Sequence, residues 1–200
     1  MIWAWPTSGF TATRAVASYD PFMSYKTKWH HAAALASRVH ENQYRKDGRT
    51  PYDAHPARVA MIISALFGFQ DETILAAAYL HDVIEDSGTD YEDVLELCGK
   101  ETADYVAAMT KDMRLPEERR EVAYDEQLAA GPWPARLIKL ADVYDNLSDA
   151  QTDWGRRKLI KKAERALNLA AGDEQLAGAC TKLRALVEAV EVELGEDDGR

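Results

Sequence analysis

Apolar residues recur every three or four positions through most of this chain, which is the period of helices packed on one face. From Tyr25 to Tyr44 the inner positions are Trp29, Ala32, Ala33, Leu35, Ala36 and Val39. Asp47-Gly48-Arg49-Thr50-Pro51 breaks that pattern. His55-Pro56 opens a second helix with proline near its start, and Val59, Ala60, Ile62, Ile63 and Leu66 form its inner face up to Gly68. Asp71 is placed to cap a third helix, whose Ala76-Ala77-Ala78-Tyr79-Leu80 run is apolar on nearly every side and reads as buried. That helix is expected to continue through His81, Asp82, Glu85 and Asp86. Thr89-Asp90-Tyr91-Glu92 matches a capping box that starts a short helix ending near Gly99. Further helices are expected over 101–110, from Pro116 to Gly131, over 135–147, 155–171 and 174–194.

No alternating strand pattern competes, and no repeat or Gly/Ser linker divides the chain. The expected fold is all-α: one domain of about eight or nine helices over residues 23–195. Residues 1–22 lack a helical period and read as an irregular extension, with Met23 a possible alternative start; residues 196–200 read as an acidic tail.

Composition narrows the classes. The net charge of −10 argues against nucleic-acid binding, although a local basic pocket can still serve a phosphorylated small molecule. Two cysteines are too few for a disulfide framework, which suits a reducing cytoplasm. No apolar run has transmembrane length, so no membrane partner is expected. The sequence carries no signal for oligomeric state.

The candidate chemistry lies where charged groups interrupt apolar helices. On one helix His81 and Asp82 are neighbours, and Glu85 and Asp86 lie one turn further on. Carboxylates crowded at the end of a buried helix call for a cation, and a divalent metal would serve. The alternative is a helix end emerging into solvent beside a satisfied core histidine. His55 at the start of another helix and Asp142 within Leu137-Ile138-Lys139-Leu140-Ala141-Asp142-Val143 favour the metal. Two neutral imidazoles and two carboxylates form a neutral complex with a divalent ion. That mixture of nitrogen and oxygen suits Mn²⁺, Fe²⁺, Co²⁺, Ni²⁺ or Zn²⁺ better than Mg²⁺ or Ca²⁺.

Arg45-Lys46-Asp47-Gly48, Pro51-Tyr52, His55-Pro56, His81-Asp82-Val83-Ile84-Glu85-Asp86, Thr110-Lys111 and Lys139-Leu140-Ala141-Asp142 with Asn146-Leu147 occur in this order. The set resembles the HD-domain phosphohydrolases, and within them the (p)ppGpp hydrolase domain of the Rel/Spo family. It covers residues 25 to about 170 with nothing similar to a synthetase domain after it, as in the stand-alone small alarmone hydrolases of metazoan type.

The resemblance implies that His55, His81, Asp82 and Asp142 are metal ligands, with Mn²⁺ the usual ion. It implies that Glu85 and Asp86 orient and activate water, and that Arg45, Lys46 and Asn146 contact a guanosine polyphosphate. The implied reaction removes the 3′-pyrophosphate of ppGpp or pppGpp. Because one metal neutralises only the reacting diphosphate, further cations are expected near the cleft, with Lys139 and Lys111 the candidates. The link from Arg45-Lys46 to His55 is one residue longer than in the long bacterial enzymes, and Ser87 stands where threonine is usual. Both bear on substrate choice more than on catalysis. Two other readings keep the same site: a phosphatase acting on nucleotide monophosphates or on the 2′-phosphate of NADPH, and a non-catalytic nucleotide-binding module.

Some charged groups have plainer readings. His30, His31 and His40 fit surface or core positions. Lys111, Arg114, Arg119 and Arg120 fit either a phosphate-facing patch or a solvent face paired with Glu117, Glu118 and Glu121. Arg156-Arg157-Lys158 and Lys161-Lys162 read as cover for a surface helix, and Trp133 as a packing anchor.

Overall fold

The computed structural model describes residues 27–197, so the expectations for residues 1–22 and Met23 lie outside the described residues. Those described form ten α-helical segments and no strand. They are α1 (Lys28–Val39), α2 (Ala54–Met61), α3 (Glu72–Leu80), α4 (Val83–Asp86), α5 (Tyr91–Cys98), α6 (Lys100–Met109), α7 (Glu117–Ala130), α8 (Trp133–Ser148), α9 (Asp153–Ala170) and α10 (Ala177–Asp197). Helix α10 carries Glu196 and Asp197, the first two residues of the expected acidic tail.

Helices α3 and α8 are the inner pair. Helix α3 packs on α1, α2, α6 and α8, while α8 touches α2, α3, α6, α7, α9 and α10. The alanine run of α3 meets Ala32 and Ala36 of α1 in the core, where small side chains let two helix axes come close. Leu80, Leu137, Ile138 and Leu140 are fully buried around this centre. Truncating any of them to alanine would cost about 2–5 kcal/mol.

Of the boundaries that differ from the sequence expectation, three have a clear local setting. Helix α1 ends at Val39 rather than reaching Tyr44: Asn42 turns left-handed at φ 64°, and Tyr44 pairs with Pro51 in an isolated antiparallel bridge. Helix α3 stops at Leu80, and α4 is a separate single turn. At this break the His81 Nδ1–H donates to the Ala78 carbonyl at 2.8 Å. In a regular helix that carbonyl accepts from the Asp82 amide. Taking α3 and α4 together, as the sequence pattern does, makes nine helices. The capping box belongs to Asp90 and Asp93, one residue beyond the expected Thr89.

Two other signals hold. Asp71 caps α3 by accepting from the amides of Thr73 and Ile74. Helix α2 runs into a π-turn over Ile62–Leu66 and ends at Gly68, whose φ of 83° favours glycine.

Candidate active site

The cleft is assembled from α2, the α3–α4 junction, α8 and the loop between α1 and α2. That loop is a tight turn. Asp47 accepts from the amides of Arg49 and Thr50 at 2.9 Å, and the Arg45 amide donates to the Thr50 carbonyl at 2.8 Å. The turn leaves Lys46 exposed and sends Arg45 inward against α8.

His55, His81 and Asp82 each offer a donor atom within 4.8 Å of the other two, a grouping that could hold a metal ion. Both histidines are 1% exposed. His55 Nδ1–H donates to Asp145 Oδ2 at 2.7 Å, just as His81 Nδ1–H donates to Ala78. With both Nδ1 protons committed outward, each Nε2 faces the carboxylates and, once it gives up its proton, has a lone pair for an ion. The buried His81 Nε2 has no hydrogen-bond partner, and its nearest carboxylate oxygen, Asp82 Oδ2, is 3.2 Å away. An orphaned buried nitrogen in this donor set fits a divalent ion.

Asp142 lies outside that trio but beside it. Its Oδ1 is 3.3 Å from His55 Nε2 and 3.9 Å from His81 Nε2. Both of its oxygens are engaged within α8, Oδ1 by Asn146 at 2.6 Å and Oδ2 by the Lys139 ammonium at 2.8 Å. These bonds and the repulsion between two carboxylates hold Asp142 away from Asp82.

Burial and charge oppose each other here. Burial alone would lower the His81 pKa, yet the negative charges of Asp82 and Asp142 outweigh it and raise the imidazole to about 9. His55 is also raised, its hydrogen bonds to Asp142 and Asp145 overcoming burial. Asp82 resists burial through its attraction to His81 and drops to about 2. Burial, followed by the bond to Asp82, keeps the Tyr52 phenol protonated well above its ordinary range. Tyr52 donates to Asp82 Oδ2 at 2.9 Å.

Glu85 and Asp86 sit on α4, near enough to Asp82 for its charge to act on both. Glu85 accepts the Lys111 amide at 2.6 Å, which ties the site to the loop after α6. Burial raises the Glu85 pKa; burial and then the Asp82 charge raise that of Asp86. Carboxyls raised in this way are stronger bases once ionised.

The basic candidates divide. Arg45 donates to Asp149 Oδ2 at 2.9 Å and Asn146 Oδ1 at 3.0 Å, so Arg45 and Asn146 do meet beside Asp142. The Lys111 and Lys139 ammonium groups lie over the Tyr124 ring at 5.0 and 5.3 Å, in a pocket also lined by Glu121, Lys162 and Arg165. Lys111 therefore faces inward but pairs with Glu121 at 2.7 Å, the partner of the plainer reading, whereas Arg114 is exposed and pairs with Asp112 at 2.8 Å. Lys162 corrects the surface-helix reading. It lines the pocket, and burial together with the Lys139 and Lys111 charges lowers its pKa. His40 is buried against Tyr52, and Trp133 packs on Phe69.

Sequence reading places Tyr52 only within Pro51-Tyr52, with no role, and passes over Asp145 and Arg58 as parts of the site. For Asp145 a signal was present: Asp142, Asp145, Asn146 and Asp149 lie on one face of α8 at helical spacing.

A family model described as HD domain matches residues 32–175. The chain belongs to the HD domain family. Among curated proteins it is similar to the guanosine-3′,5′-bis(diphosphate) 3′-pyrophosphohydrolase MESH1 of Drosophila melanogaster, 39% identical over 62% of this chain and 72% of that protein. It is also similar to the MESH1 of Homo sapiens, 35% identical over 70% of this chain and 82% of that protein. Among solved structures it resembles one described as "A metazoan ortholog of SpoT hydrolyzes ppGpp and plays a role in starvation responses". The two share a TM-score of 0.73 and 31% identity over 86% of this chain and 98% of that one.

Proposed function

We propose that this chain is a metal-dependent hydrolase that removes the 3′-pyrophosphate of ppGpp or pppGpp and releases GDP or GTP. The observation that carries the reading is the meeting of two imidazoles with Asp82 and Asp142, next to Glu85, in a chain whose relatives are named for that reaction. His55, His81, Asp82 and Asp142 would hold the ion, and Mn²⁺ suits their two nitrogens and two carboxylates. When bound there, a divalent ion would supply Lewis acidity toward a phosphoryl oxygen and water.

The protein's own groups do the rest. Glu85, held at one oxygen by the Lys111 amide, takes the proton from the attacking water, and Asp86 orients that water. The water oxygen bonds to the phosphorus on the 3′ oxygen, that P–O bond breaks, and the proton gained by the carboxylates is available to the 3′ oxygen. Arg45, Lys46 and Asn146 receive the nucleotide side, while Lys139 and Lys111 offset phosphate charge. A reducing cytoplasm suits the buried free thiols of Cys98 and Cys180. No helix among the described residues is long and apolar enough to cross a membrane.

The test is an assay of the purified chain with Mn²⁺ on ppGpp, NADPH and nucleotide monophosphates, identifying which phosphate is released. Pyrophosphate from ppGpp is the expected product. Efficient cleavage of NADPH or monophosphates with ppGpp left intact would replace this reading by the broader phosphatase one. Tight nucleotide binding without turnover would favour the non-catalytic module.

A further inference from the structure

We propose that Arg58 is a positioning residue serving both halves of the cleft: through Asp145 it fixes His55, and through Asp149 it fixes Arg45. The Arg45 half rests on the function proposed above; the His55 half does not.

The side chains form a closed ring. His55 Nδ1–H donates to Asp145 Oδ2 at 2.7 Å. Arg58 grips the same carboxylate with both arms, Nε on Oδ1 at 2.5 Å and Nη2 on Oδ2 at 3.0 Å. Its Nη2 also lies 3.2 Å from Asp149 Oδ2, the oxygen that accepts from Arg45 Nε at 2.9 Å. Arg45 Nη2 then donates to Asn146, and Asn146 Nδ2 to Asp142 Oδ1, which returns the ring to His55 Nε2.

Asp145 is 3% exposed, and a buried carboxylate needs partners on both oxygens. The bidentate fork stops it from rotating, so His55 has one acceptor in one place and its Nε2 stays turned to the site. Charge supports the second half. Arg45, Arg58, Asp145 and Asp149 sum to zero; without Arg58 the group carries one net negative charge beside a mouth that must admit a polyanion. Lysine keeps the charge but cannot fork across two carboxylates. Arg58 is 37% exposed along its side chain, so it can be changed without opening the core.

The experiment strips the full chain of metal and titrates it with Mn²⁺, following free Mn²⁺ by electron paramagnetic resonance, and separately measures KM for ppGpp. Arg58→Gln should weaken Mn²⁺ binding by up to about 10-fold, the lower end of the effect of removing a ligand's direct partner, because Arg58 acts on His55 through Asp145, and raise KM. Arg58→Lys, which keeps the charge but not the fork, should also weaken Mn²⁺ binding, though less than Arg58→Gln, and raise KM, while Asp149→Asn should leave Mn²⁺ affinity unchanged. Wild-type Mn²⁺ affinity in a folded Arg58→Gln variant overturns the His55 half. So does an equal loss in Asp149→Asn. Should Arg58→Gln lose its far-ultraviolet helical signal, Arg58→Lys decides: wild-type Mn²⁺ affinity in that variant overturns the His55 half, and an unchanged KM overturns the Arg45 half. A wild-type protein inert toward ppGpp removes the Arg45 half and leaves the Mn²⁺ result to judge the rest.

Discussion

The Tyr52 hydroxyl donates to Asp82 Oδ2 at 2.9 Å, joining the turn before α2 to the break between α3 and α4. Tyr52 thereby steadies a carboxylate that faces two imidazoles. Hydrogen bonds to charged groups contribute about 1.5–3 kcal/mol. Tyr52→Phe should therefore destabilise the metal-free protein by about that amount in urea unfolding. An unchanged midpoint would mean that Asp82 is held by its histidines alone.

A second prediction separates holding the ion from moving the proton. His81→Ala and Asp82→Asn should lose bound Mn²⁺, because each deletes a donor from the trio. Glu85→Gln should keep the metal and lower kcat about 10²–10⁴-fold, the scale for removing a general base. Metal content by elemental analysis, set beside kcat, reads both. Near-normal turnover in a Glu85→Gln, Asp86→Asn double variant would remove the carboxylates from the chemistry.

What was readable in the sequence was whatever periodicity exposes. Charged residues inside apolar helical runs stand out, and they marked His55, His81, Asp82 and Asp142. The helix order followed from caps and breakers such as Asp71 and Gly68. What stayed hidden depended on pairs distant in the chain. Arg58 and Asp145 are 87 positions apart, and Tyr52 and Asp82 are 30 apart; neither pair leaves a local pattern. Lys162 was misread because a run of basic residues on α9 looks the same whether its helix faces solvent or a pocket over Tyr124. The break at His81 leaves no mark in the sequence, because no glycine or proline stands there and the imidazole's bond to the Ala78 carbonyl has no local pattern.

The pH dependence follows from the two imidazoles. Both have pKa values raised above the ordinary 6.5, His81 to about 9. In the metal-free protein the stability from these protons is complete below about pH 6.5 and is lost, for His81, as pH rises through about 9. Asp82 behaves oppositely: its contribution is lost only as pH falls through about 2. A divalent ion needs both Nε2 lone pairs, so protons compete with it. Mn²⁺ affinity should rise between pH 6.5 and 9 with proton release on binding. Melting curves with and without Mn²⁺ should show a gap that widens across this range; a constant gap would mean that the histidines do not exchange protons for metal.

The last prediction distinguishes two adjacent cations. Arg45 has a side chain 10% exposed, held by Asp149 and Asn146, whereas Lys46 is exposed on the same turn. Charge reversal at Lys46 removes a solvated cation from the mouth, so Lys46→Glu should raise KM for ppGpp, leave kcat and Mn²⁺ affinity near wild type, and leave the melting temperature unchanged. Arg45→Glu would place a third carboxylate beside Asp145 and Asp149. It should raise KM too and also lower stability, by the roughly 3–5 kcal/mol typical of breaking a buried ion pair. Added salt should weaken the effect of Lys46→Glu more than that of Arg45→Glu, since exposed charges are screened and buried ones much less so. KM measured at low and high ionic strength, with thermal unfolding of both variants, tests this. Equal loss of stability in the two would mean that the turn does not divide its cations between solvent and cleft.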